Sequence, residues 1–238
     1  MGRDYKSGYE RQPQNFYRTP AWVTKELLET LRRERIRLPN GIWEPCCGDG
    51  AMAEVLKADG HSVVCTDLID RGYGEGGRDF LMEPRLPDGV TAIVTNPPYG
   101  RMVLPKIVDH ALDLLRPVDG MLALLVPVAW KTAAENSKRC RIPAYEASVT
   151  LTKRIRWFPG TKEQPKENHC WLIWDHSRPP GPAKDLFAAP NVESEPGARW
   201  CIECRTPLPL TARADARLCS ATCRKRDSRR GVAQRRTA

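Results

Sequence analysis

The 238 residues suffice for one full α/β domain and a small appendage, but not for two large domains. The formal net charge of +9 is unevenly placed: residues 199–238 carry eleven Lys or Arg against Glu203, Asp215 and Asp227, a net of +8. That end is expected to meet a polyanion, most simply nucleic acid. No run of 18 apolar residues occurs and no apolar stretch follows the charges of residues 1–6, so neither a membrane partner nor secretion is expected and the chain reads as cytoplasmic.

Residues 1–15 are polar and aperiodic and read as a loosely ordered arm. Phe16-Tyr17-Arg18-Thr19-Pro20 then has the form of a helix start, with Thr19 as N-cap and Pro20 in the first helical position. Val23, Leu27, Leu28 and Leu31 supply that helix's apolar face as far as about Arg35. Ile42-Trp43-Glu44 is a short strand leading into Pro45-Cys46-Cys47-Gly48-Asp49-Gly50 and a helix with Met52, Val55 and Leu56. Residues 62–67 form the second strand and end in Asp67, 23 residues after Glu44. Strand, Gly-rich turn, helix and a second strand tipped by an acid are the parts of a nucleoside site. Glycines admit a close ligand, and a carboxylate can accept from ribose hydroxyls.

Residues 71–78 contain four glycines and read as a mobile loop, and Asp79-Phe80-Leu81 as a strand end or short turn. Thr91-Ala92-Ile93-Val94-Thr95 has the composition of a buried parallel strand. A helix carrying Val103, Ile107, Ala111, Leu114 and Leu115 follows, then a buried strand over 121–126. The stretch after Pro127 is helix-prone to about Arg139. Residues 149–158 and 170–174 read as two extended runs of a long hairpin joined by a polar loop. Trp157, Phe158, Trp171 and Trp174 are expected at the core or sheet edge, with a substrate-facing place for one of them as the lesser alternative, and His61 and His110 as structural histidines. Residues 177–198 are rich in Pro, Gly and Ala and read as a linker, which leaves a domain over 16–176 and a separate module over 199–238.

Between the 91–95 strand and the helix after it stands Asn96-Pro97-Pro98-Tyr99. In open α/β sheets, ligands bind outside the carboxyl ends of strands. Two prolines remove two backbone donors, so carbonyls in this turn are free to accept from outside. Asn96 adds a side-chain acceptor and Tyr99 a flat face. Two acceptors beside a stacking ring suit a planar group bearing an exocyclic amine, such as a nucleobase.

In this order the motifs resemble those of the class I S-adenosylmethionine-dependent methyltransferases. More narrowly, they resemble the small phage-type amino-methyltransferases that modify adenine N6 in DNA. The matching pieces are FYRTP at 16–20, EPCCGDG at 44–50, Asp67, Asp79-Phe80 and NPPY at 96–99, with RIRWFPG and HCWLIWD as a less specific closing hairpin. The resemblance covers about residues 12–176. It implies a Rossmann-like sheet with helices on both faces and S-adenosyl-L-methionine as cofactor. Thr19, with Tyr17 nearby, would hold the cofactor's methionine end, and Glu44 and the turn through Gly48 and Gly50 would hold its amino group and pass close to it. Asp67 would take the ribose hydroxyls, and Asp79 and Phe80 would bind and flank the cofactor's adenine. Asn96 and the Pro97 carbonyl would accept from the target amine, with Pro98 completing the turn and Tyr99 stacking on the base. Two departures stand out: Cys46 and Cys47 occupy the turn where small or aromatic residues are common, and the large target-recognition domain of many restriction-type enzymes is lacking. The same tetrapeptide occurs in enzymes that methylate RNA guanine or protein glutamine, and a binding protein without transfer is the further alternative.

Cys201-x2-Cys204, fourteen residues and Cys219-x3-Cys223 have the spacing of a structural four-thiolate Zn2+ site. So small a basic segment has little core, and metal binding would supply its folding energy. Its end resembles small zinc-ribbon fingers. Arg224, Lys225, Arg226, Arg229 and Arg230 follow the last cysteine and could track phosphates, with DNA the expected partner ahead of RNA. Cys46, Cys47, Cys65, Cys140 and Cys170 lack framework spacing and read as reduced, packed thiols. Oligomeric state is not legible.

Overall fold

A computed structural model describes residues 17–157, 165–179 and 181–188, all within the first of two units into which the chain divides, Met1–Pro190. The arm over 1–15, Phe16, Phe158, residues 189–198 of the linker, the four expected zinc ligands and the basic residues after them lie outside the described residues.

Four short apolar strands, β1 (Gly41–Glu44), β2 (Ser62–Cys65), β3 (Ala92–Thr95) and β4 (Met121–Pro127), run parallel. Three more complete the sheet: β5 (Tyr145–Thr150), β6 (His169–Asp175) and β7 (Lys184–Phe187), in the order β2-β1-β3-β4-β6-β5-β7. β6 is antiparallel to both β4 and β5, and β7 is parallel to β5. The chain steps outward from β1 to β2 and returns on the other side of β1 as β3. The point of reversal, between β1 and β3, opens a crevice at the carboxyl edge of the sheet.

The pleat divides the core into two layers. Ile42, Ala92, Val94, Ala123 and Leu125 meet α1 (Ala21–Glu34) and α2 (Ala51–Ala58) through Val23, Leu27, Leu31, Met52 and Leu56. Trp43, Ile93, Leu122 and Leu124 meet α3 (Leu104–Leu115) through Ile107, Val108 and Ala111. This is the expected Rossmann-like arrangement with helices on both faces. Among the described residues no helix is long and apolar enough to cross a membrane.

Several local expectations are corrected. Helix α1 starts one residue late, with Pro20 as its N-cap and no side-chain cap bond. The Thr19 hydroxyl is engaged elsewhere, by Asn96. The stretch after Pro127 is broken into α4 (Val128–Thr132) and α5 (Ala134–Ser137) with a 3-10 turn over Lys138–Arg141. The closing pair is β5 with β6, and Arg154–Trp157 is not a strand: Ile155 turns into the core, and Trp157 packs against His169. The linker over 177–198 contains β7, so the sheet extends beyond residue 176. The glycine-rich loop is tied by backbone bonds Glu75 N to Cys65 O, Asp67 N to Glu75 O and Arg78 N to Asp67 O, each 3.0 Å. Its Tyr73 ring covers Gly50. Cys46, Cys47, Cys65, Cys140 and Cys170 are free thiols. His61 and His110 each bond a backbone carbonyl, as structural histidines do.

Candidate functional site

A cleft of about 1350 Å³ lies at the switch point. It brings together Tyr17, Thr19, Glu44, Gly48, Asp67, Asp79, Phe80 and all of Asn96–Tyr99 from separate parts of the sequence. Strand ends deliver three of them: Glu44 closes β1, Asp67 lies just past β2, and Asn96 follows β3 directly.

One wall is acidic. Glu44 is 2% exposed and its Oε2 has no hydrogen-bond partner. Burial raises its pKa well above the usual carboxylate range; Asp67 and Asp49 push in the same direction, and a bond from the Ala53 backbone pulls back. A buried carboxyl with an unanswered oxygen fits a cationic amino group, which would satisfy the oxygen and restore the charge. Asp67 takes Gly48 N–H on Oδ2 at 2.8 Å and Ile69 N–H on Oδ1 at 2.9 Å. These bonds aim the carboxylate and leave each oxygen a second lone pair for a hydroxyl. Asp79 accepts from Leu81 N–H at 3.0 Å, so it caps the 3-10 turn Phe80–Met82 while one oxygen stays available. Phe80 is held edge-on to Trp43 and His110, at 5.1 and 5.0 Å between ring centroids.

Gly48 and Gly50 have φ of 57° and 80°, a region that favours glycine. Only Gly48 faces the cleft. A Cβ on Gly50 would stand 2.4 Å from the Tyr73 ring, so at its positive φ this glycine also makes room for the glycine-rich loop behind the turn. Cys46 also lines the cleft, and burial, with Asp67 beside it, pushes its thiol up to about 12, so it is protonated and poorly nucleophilic.

The other wall carries the rings of Tyr99, Trp157 and His169, with Arg101, Arg156, Lys166 and Glu167 also lining the cleft. Asn96 Nδ2 donates to Thr19 Oγ1 at 3.0 Å, and Tyr99 OH donates to Asn96 Oδ1 at 2.6 Å. Burial raises the Tyr99 phenol well above its ordinary value, which keeps it a proton donor. No donor among the described residues reaches the Pro97 carbonyl, as the pair of prolines leads one to expect. Behind Tyr99 lies His169, the first residue of β6, 1% exposed, with neither ring nitrogen in good hydrogen-bond geometry among the described residues. Its ring stands 5.8 Å from Tyr99 and 5.3 Å, edge-on, from Trp157. Burial lowers its pKa to about 4, so it is neutral at physiological pH.

Sequence reasoning missed His169. The signal was a polar residue opening an otherwise apolar strand, immediately after a polar loop. Trp157, expected as packing, lines the cleft. Arg18 pairs with Asp49 at 2.5 Å and so joins the segment before α1 to the turn after β1, a contact that no spacing in the chain announces. Among the described residues no cluster suited to a metal ion occurs.

No protein-family model matches the sequence, and no curated protein matches it. Solved structures share its chain path at low identity. A candidate class I S-adenosylmethionine-dependent methyltransferase from Listeria monocytogenes is 15% identical with a TM-score of 0.49, covering 70% of this chain, which spans 62% of that one. A candidate RNA methyltransferase from Pyrococcus horikoshii is 14% identical, TM-score 0.49, covering 67% of this chain and 86% of its own. Magnesium protoporphyrin IX methyltransferase from Synechocystis, with bound SAH, is 12% identical, TM-score 0.45, covering 66% and 83%.

Proposed function

We propose that the chain transfers a methyl group from S-adenosyl-L-methionine to the exocyclic N6 amine of adenine in DNA. The observation that carries this reading is the meeting, in one cleft, of a turn offering two acceptors and an aromatic ring with a buried carboxyl that has one oxygen unanswered. When bound, the cofactor supplies an activated methyl group on a sulfonium. Glu44 would hold its amino group, Thr19 and Tyr17 its methionine end, Asp67 its ribose and Asp79 its adenine, with Phe80 flanking that ring.

The target amine would donate its two hydrogens to Asn96 Oδ1 and the Pro97 carbonyl. Those bonds draw the nitrogen lone pair out of conjugation with the ring and favour the positive charge that develops as the nitrogen is alkylated. Tyr99 would stack on the base and offset part of the few kcal/mol that extruding it from a duplex costs. Trp157 and His169 back that wall with uncharged surface and limit water around the reacting amine. The protonated state of Cys46 removes a thiolate that would otherwise compete for the methyl group.

The C-terminal segment extends the proposal. Cys201, Cys204, Cys219 and Cys223 have the spacing to bind one zinc ion, and Arg224, Lys225, Arg226, Arg229 and Arg230 would track phosphates with a salt-dependent contribution. Metal analysis of the purified chain, expected to give one zinc per chain, tests the first part. Removing the residues after 190 tests the second: the salt slope of DNA binding should flatten while cofactor binding persists.

The deciding experiment is transfer of labelled methyl from S-adenosylmethionine to unmethylated DNA, with RNA and protein extract in parallel, followed by nucleoside analysis. N6-methyladenine in DNA is expected. Label confined to RNA or protein would overturn the substrate and leave the role of Asn96 standing.

A further inference from the structure

The Asn96 side chain must face the target with its oxygen, because a reversed amide would set one NH2 against another. Its two neighbours do not enforce this. Thr19 Oγ1 lies 3.0 Å from Nδ2 and Tyr99 OH 2.6 Å from Oδ1, and both are hydroxyls, which give or take a hydrogen bond equally well. With both hydroxyls reversed, the reversed amide keeps the same number of bonds. Thr19 is 6% exposed and its hydroxyl hydrogen has no other acceptor among the described residues, so in the free chain that hydrogen has no competing claim.

We infer that Thr19 is a positioning residue that couples the two walls: it gives its hydroxyl hydrogen to the carboxylate of the bound cofactor and, becoming an acceptor only, turns the Asn96 amide oxygen toward the target amine. This rests on the methyl-transfer reading above. A carboxylate accepts and never donates, and its charge strengthens the bond, so it outcompetes a neutral amide oxygen for the Thr19 hydrogen. Asn96 Nδ2 is then committed to Thr19, and Oδ1 faces Tyr99 and the cleft. Cofactor and base therefore bind cooperatively, and linkage requires each to raise the other's affinity by one common factor, about tenfold for couplings of this kind.

The test uses S-adenosylhomocysteine, which has the same methionine-like end and no methyl group to transfer, with the full chain. Its affinity is measured by calorimetry alone, with an oligonucleotide of adenine deoxynucleotides, and with the same oligonucleotide carrying purine, which lacks the amine. Wild type should bind it about tenfold more tightly with the adenine strand than without, and no more tightly with the purine strand. Thr19→Ser should keep that factor. Thr19→Val should lower it to about one whatever happens to affinity in the absence of DNA, a pattern that simple loss of a cofactor contact would not produce. Asn96→Asp, whose symmetric carboxylate has no orientation to set, should also give a factor near one with Thr19 intact. A wild-type factor in Thr19→Val or in Asn96→Asp overturns the inference, as does a factor of one in wild type that binds S-adenosylhomocysteine. Failure of wild type to bind S-adenosylhomocysteine at all overturns the methyl-transfer reading and the inference with it.

Discussion

The two walls of the cleft each bury a titratable group, and burial favours the neutral form of both, by opposite routes. The pKa of Glu44 is pushed up, and that of His169 is pushed down to about 4. Their surroundings differ in what they lack. Among the described residues Glu44 sits beside other acids with one oxygen unanswered, and a cation there would favour its charged form. His169 instead packs against the rings of Tyr99 and Trp157. The two walls thus differ in the groups they set around the cleft, carboxyl groups on one and rings on the other.

The comparison breaks most visibly at Asn96. Asn96→Ala should lower methyl transfer by about 10²–10³-fold, the cost of losing one group aimed at developing charge. S-adenosylhomocysteine affinity should change no more than severalfold, and equal loss of both would show that the walls do not divide the work.

The acid response of folding probes the aromatic wall through the difference between wild type and a His169 variant. An imidazole that titrates at its ordinary 6.5 when unfolded and near 4 when folded leaves the unfolded chain binding more protons between those values. The share of stability that His169 contributes is therefore complete above pH 6.5 and is lost as pH falls toward 4, by about 3 kcal/mol, while Glu26, pushed up to about 7 by burial, acts in the opposite sense over the same range. His169→Phe should flatten that decline in urea titrations across the same range. An unchanged slope would mean that His169 is not held neutral.

The acidic wall should respond to pH in the opposite sense through binding. If the ligand's amino group pairs with ionised Glu44, complex formation lowers the Glu44 pKa, so affinity for S-adenosylhomocysteine should rise with pH until the free-chain pKa is passed, with proton release on binding. Glu44→Gln should weaken binding by about 10–100-fold, as expected for a hydrogen bond to charge, and abolish that pH dependence. A dependence that survives the substitution would assign it to another group. The smallest effect is expected for Tyr99→Phe, which keeps the ring and loses the 2.6 Å bond to Asn96: about 1 kcal/mol, or severalfold in transfer rate.

Much of this site was legible because it is built from local rules. Apolar runs bounded by Gly and Pro located β1, β3, β4 and the helices between them, and a parallel sheet places its ligands at strand ends. Glu44, Asp67 and Asn96 were therefore candidates before any contact was known. Gly50 shows the limit of such reading. Its residue type and φ fit a ligand-cradling turn, yet the ring packed over it belongs to Tyr73, 23 residues on. Arg154–Trp157 shows another: an apolar, aromatic composition suited to a strand found no partner, because β6 was already paired on both sides by β4 and β5.

By itself the sequence determined the α/β class, the order of the strands along the chain and the chemistry available at their ends, since periodicity and turn residues act over a few positions. Tertiary structure decided which groups share a hydrogen bond or a wall. Thr19 meets Asn96 across 77 positions, His169 reaches Tyr99 and Trp157 only through the pairing of β6 with β4, and β7 closes the sheet from within a proline-rich stretch. The physical reason is range. Backbone propensity is set by neighbours in the chain, whereas burial, and with it the protonation state of Glu44 and His169, is set by whatever the fold brings alongside.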